Sequence, residues 1–126
     1  MYKPMFSGAR QVRAGWIDDR HWVELLADIE AIGLVAYKYL LALHRTGVED
    51  PVLWVSAEES ADMFGSLFAS EDSETTVVPR AKSFTLGAFV NDAHENYGRS
   101  PDWGDESAFE ARAFEIVRSK LASGAI

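Results

Sequence analysis

The chain has no cysteine, which removes disulfide frameworks, thiol nucleophiles and zinc sites built on thiolates. Gly-x-Gly occurs nowhere, so no glycine-rich loop is available to cradle a nucleotide phosphate. Gly-x-Ser-x-Gly, the nucleophile elbow of many serine hydrolases, is missing as well. Long apolar runs are lacking: the longest, Ala31 to Tyr37, ends at Lys38 and falls short of the roughly 20 residues that cross a membrane. The opening Met1-Tyr2-Lys3-Pro4-Met5-Phe6 lacks the apolar centre of a secretory signal. No repeat with a period of roughly 20–50 residues is visible, which excludes solenoids and propellers.

Positive charge is scarce too. Lys and Arg number 12 against 20 Asp and Glu, a net charge of −8. A chain of this sign repels phosphate backbones and anionic surfaces. Its densest basic group, Lys3, Arg10, Arg13 and Arg20, is offset by Asp18 and Asp19. The expectation is a cytoplasmic protein that binds neither nucleic acid nor membrane. Acid gathers in two stretches, 58–74 and 92–110. Such stretches are ordinarily solvated faces, and they also suit a surface that attracts a basic partner.

What is present describes one globular domain over 1–126, with 1–10 as a loose leader, since 126 residues at 48% hydrophobic fit a single core. Gln11 to Ile17 alternates as a short strand interrupted by Gly15. From Asp18 or Asp19 to about Arg45 the apolar positions Trp22, Leu25, Ile29, Ile32, Ala36, Leu40 and Leu43 recur every three or four residues, which predicts a long apolar helix stopped by Gly47. Gly33 is the point where that helix would divide. Val52 to Val55 reads as a strand, and Ser56-Ala57-Glu58-Glu59 as a capping box opening a second helix. Thr75 to Val78 and Ser83 to Val90 read as a hairpin joined by Pro79 to Lys82. A polar loop over 91–105 precedes a last helix that opens at a Ser107–Glu110 capping box and stops at Gly124. The fold class expected is α+β: three helices, one long and apolar, on a small, mainly antiparallel sheet of three to four strands. Trp16, Trp22 and Trp54 fall in periodic segments and read as core.

Chemistry-bearing residues concentrate in Asn91 to Gly98. There His94 could act as a general base or ligand, with Asp92 or Glu95 orienting it and Tyr97 donating to an oxyanion. The spacing fits no metal motif. Gly98 stands where a zincin needs its second histidine, and His94, Asn96 and Tyr97 occupy the third, fifth and sixth places of a calcium loop begun at Asp92. No cofactor or metal is implied. His21 and His44 would sit near opposite ends of the long helix and share no site. Trp103, flanked by Asp102 and Asp105 on a turn, is a candidate contact anchor, or else covers the last helix. The function expected is a non-enzymatic module that binds a protein partner or itself, the latter as a homodimer through the Trp22–Leu43 helix. Inhibitors that cap a basic toxin surface are an analogy for such small acidic domains. The alternative is a small enzyme or ligand-binding domain using the Asn91–Gly98 loop.

Overall fold

The computed structural model describes residues 3–32, 35–59 and 83–126. Within the segment expected as one long helix, the chain forms two paired strands, β2 (His21–Ala31) and β3 (Ala36–Arg45). They lie second and third in an antiparallel sheet with β1 (Phe6–Trp16), β4 (Leu53–Glu59), β5 (Phe84–Val90) and β6 (Ala93–Ser100), whose spatial order follows the chain order. A 3-10 turn (Pro101–Gly104) leads into the one α-helix of the described residues, α1 (Glu106–Ser123). One helix on six strands therefore replaces the expected three helices on three to four strands.

The long-helix expectation fails for a physical reason. Val23 and Leu25 pair with Leu43 and Leu41 on the face under α1, while Trp22, Glu24 and Leu26 pair with His44, Ala42 and Leu40 on the opposite face. Leu25, Leu26, Leu40 and Leu41 are all buried. Strands buried on both faces lose their alternation and read as continuous apolar runs, which a spacing of three and four then matches by accident. A dimer seam along a Trp22–Leu43 helix falls with that helix. Gly33 lies outside the described residues, as do the Thr75–Val78 strand, the Pro79–Lys82 connection and the second helix beyond Glu59. Ser56 to Glu59, read as that helix's capping box, belong to β4. The leader expected over 1–10 is ordered from Phe6 as β1.

The main core lies between α1 and one sheet face. Phe109, Ala113, Ile116 and Val117 recur along one stripe of the helix and pack on Leu41, Leu43, Leu53, Val55, Leu86 and Ala88. Asp105 caps the helix, its Oδ2 accepting from the Ala108 N–H at 3.0 Å, two residues before the expected Ser107 cap. Gly124 closes the other end in the left-handed region at φ 73°, as its position past the last apolar residue indicates.

The opposite face is organised by aromatic pairs. Trp22 stacks on His44 at 3.9 Å, and Phe6 meets Trp54 edge-on at 5.5 Å. Phe6 lies on β1 and Trp54 on β4, three strands away, a separation of about 14 Å in a flat sheet. The β1–β2 hairpin therefore bends back over this face. Its irregular register supplies the bend: β1 advances two residues against one on β2 at Ser7 and again at Val12, and β2 advances three against two around Asp28, which has φ 51°.

Phe109 is fully buried at the centre of the helix–sheet contact and stacks on Tyr39 at 5.6 Å. Phe109→Ala is expected to lower the unfolding free energy by about 3–5 kcal/mol in urea denaturation. A loss below about 1 kcal/mol would show that the core does not depend on this helix.

Candidate functional site

The Asn91–Gly98 segment is a hairpin turn and an edge strand, not a long loop. Asn91 and Asp92 both have positive φ, the backbone of a two-residue turn that these side chains tolerate, and Val90 pairs with Ala93 across it. The Asn91 amide donates to the Ala125 carbonyl at 2.7 Å, tying the turn to the chain after α1.

From there the strand sends the candidate residues to opposite faces. His94 leans on Phe89 with ring centroids 4.7 Å apart and lies over Gly87, where any Cβ would collide with the imidazole. Glu95 turns to the helix side, where its carboxylate accepts from Lys120 Nζ at 2.7 Å and from the Tyr97 hydroxyl at 2.8 Å. Glu95 and Tyr97 are thus brought together, but as a clamp on α1 and away from His94. Asp92 stays in the turn.

Trp103 is half-buried and packs against the main core, while Asp102 is exposed and Asp105 caps α1. His21 and His44, expected far apart on one helix, sit on neighbouring strands with their side chains on opposite faces. Among the described residues no group of three or more His, Asp or Glu could hold a metal ion.

A concave feature of the described surface lies elsewhere, at the β1 flank. A cleft of about 300 Å³ opens between β1 and α1, lined by Arg13, Ala14, Gly15, Trp16, Val23, Leu25, Leu41, Glu110 and Phe114. Its floor is the flank of the core. Gly15 pairs with Val23 and faces the helix side, and a Cβ placed there would touch nothing within 4 Å. The missing side chain leaves the hollow. Trp16 ends the strand 67% exposed, against the expectation of a core tryptophan.

Two polar systems hold this end of β1. Arg13 Nε donates to Glu110 Oε2 at 2.9 Å, and its Nη2 reaches Glu110 Oε1 at 3.1 Å and Glu106 Oε2 at 3.3 Å. The Glu110 hydrogen bond is the main cause that raises the guanidinium above its ordinary pKa, so Arg13 keeps its charge. In the turn that follows, Asp18 Oδ1 accepts from the backbone N–H groups of Arg20 and His21 at 2.8 and 2.7 Å. Those bonds, the Arg20 one foremost, hold the Asp18 carboxyl below its usual range. Arg45 Nε donates to His21 Nε2 at 2.9 Å, which leaves Nδ1 to carry the proton toward Asp18 at 3.0 Å.

Sequence reasoning missed this site. Its signal was a strand that carries charged or glycine residues, Arg10, Arg13 and Gly15, where its neighbours carry buried apolar ones, which marks an edge. No protein-family model, curated protein or solved structure matches the chain.

The Glu95–Lys120 pair carries a pH signature. The Lys120 hydrogen bond, followed by that from Tyr97, lowers the Glu95 pKa below 4.5, and Glu95 raises that of Lys120 above 10.5. A depressed carboxylate stabilises the fold above its unfolded pKa, and that contribution is lost as pH falls through the folded value. The raised lysine contributes below its unfolded pKa and loses that contribution as pH climbs through the folded one. Glu95 is 39% exposed, so solvent screening caps the contribution at about 1 kcal/mol. Glu95→Gln is expected to cost up to that amount at neutral pH and nothing once the wild-type carboxylate is protonated. A penalty that persists unchanged into strong acid would rule the ion pair out as its source.

Proposed function

We propose that this chain is a non-enzymatic protein-binding module of the cytoplasm, and that its docking surface is the Arg13–Trp16 end of β1 with the cleft beside it. The observation that carries the reading is a sheet edge, unpaired among the described residues, that holds an apolar hollow at Gly15 on its helix face and a 67% exposed tryptophan, Trp16, turned to the other face. Tryptophan dominates binding energies where it can be desolvated, and an apolar concavity across the same edge supplies a second anchor point for a partner that spans it. The lining offers little to catalysis: its two ionisable groups, Arg13 and Glu110, are bonded to each other. Across the candidate residues of β6, Glu95 and Tyr97 point away from His94, which weakens the case for a general base there. The net charge of −8 favours a basic partner, with attraction that weakens as salt screens it.

A photoreactive phenylalanine analogue in place of Trp16, irradiated in living cells, should give one discrete adduct with another protein. The adduct should vanish when Gly15→Leu fills the hollow, and should not form when the probe replaces Ser119 on the outer side of α1. The adducted protein, purified, should bind the wild-type chain about tenfold less tightly when salt rises from about 50 to 500 mM. An adduct with a second copy of this chain overturns the basic-partner assignment in favour of self-association. No discrete adduct, or one equally formed from Ser119, overturns the docking surface.

A further inference from the structure

On the footing of that reading, we propose that the partner enters as an extended segment that adds a strand to β1 over Arg13–Trp16, with an apolar side chain seated in the hollow at Gly15 and basic residues flanking it. The first support is the edge itself. Ile17 N–H donates inward to His21 O at 2.9 Å. Because ladder groups alternate along an antiparallel strand, the N–H and C=O of Ala14 and Trp16 then turn to the side of β1 that pairs with no described strand. Strand addition needs such a row of outward backbone groups.

The second support is where the edge is regular. β1 is irregular at Ser7 and Val12 and is distorted opposite Asp28, but from Arg13 to Trp16 its pairing with β2 runs in unbroken register. Bulges spoil an edge for pairing with other chains. The one stretch left regular contributes four consecutive residues to the cleft, Arg13, Ala14, Gly15 and Trp16. A template of this length fits a short extended segment and not a full strand of a second copy.

Side-chain direction completes the geometry. A residue opposite Gly15 in an added strand forms a non-hydrogen-bonded pair, the closer of the two types, and projects to the same face as Gly15. That face holds the hollow over Val23, Leu25 and Leu41. Charge sets the flanks: on the helix side of the cleft two carboxylates, Glu106 and Glu110, face the single guanidinium of Arg13. Lysine or arginine on either side of the apolar anchor would meet the surplus acid.

The probe is a set of blocked heptapeptides of alternating Thr and Lys with a central Ala, Leu or Phe, titrated into the intact protein by calorimetry and by amide exchange. The Leu or Phe peptide is expected to bind about tenfold more tightly than the Ala peptide, and to slow exchange of the Ala14 and Trp16 amides. Gly15→Val and Gly15→Leu, each checked for folding by circular dichroism, should weaken binding in order of size, while Arg118→Ala should not. N-methylation of the peptide amides that face β1 should abolish binding. If N-methylated and unmodified peptides bind alike while Gly15→Leu still blocks both, strand addition is wrong and the docking cleft stands. If all the peptides fail to bind, the inference is overturned, and the crosslink from Trp16 judges the docking surface separately.

Discussion

Among the described residues one helix has to cover one face of a six-stranded sheet, and it is too narrow to do so. Six strands at about 4.8 Å spacing span roughly 24 Å, against a helix about 10 Å across. The apolar stripe of α1 settles on the middle strands, through Phe109, Ala113, Ile116 and Val117. Both flanks are left to other residues. On the β6 side Tyr97, Trp103, Leu121 and Ile126 pack against the core and close it. On the β1 side Gly15 contributes no side chain, and the cleft is what remains. Ion pairs hold the two ends of the helix in that compromise, Arg13 with Glu106 and Glu110 near its start and Lys120 with Glu95 near its end.

The same shortage of cover explains the bent hairpin. With α1 committed to one face, Trp54 on the other needs a neighbour, and the folding back of β1 brings Phe6 onto it. Bending an 11-residue strand that far requires breaks in the ladder, and the bulges at Ser7, Val12 and Asp28 provide them. Arg10 to Asp28 at 2.6 Å ties the hairpin at the distorted point. These breaks also disarm most of an exposed edge against indiscriminate pairing, which leaves Arg13–Trp16 as its regular part.

Those parts of the fold were legible whose two sides differ. α1 shows polar residues around a single apolar stripe, and Gly124 marks its end; both are plain in the sequence. Val52 to Val55 and Ser83 to Val90 announce strands by composition, and β4 and β5 fall within one to four residues of them. The segment 18–45 is different, because Leu25 and Leu26, or Leu40 and Leu41, face opposite sides and are buried alike. A pattern with no polar face carries no period, and the leucine and alanine content favours helix until the tertiary sheet overrides it. The Val12–Ala14–Trp16 alternation misled for a local reason: the bulge at Val12 lets that residue join the main core while Trp16 turns out to solvent. Asn91 to Gly98 drew notice by composition alone. A histidine and two carboxylates within four residues share a site on a loop, whereas on a strand His94 and Glu95 must face opposite ways.

The β1 end is also unusually well held for an exposed segment, and that bears on what it can do. Its following turn is bonded by Asp18 to two backbone amides and through His21 to Arg45, and its strand is anchored through Arg13 to α1. A surface already fixed in this way loses little conformational freedom when something docks on it, so more of the contact energy of an apolar anchor appears as affinity. Catalysis would ask for the reverse arrangement, with an acid or base left able to exchange its proton with a bound group. Here the one guanidinium beside the cleft is shared between two carboxylates, and what the three hold steady is shape.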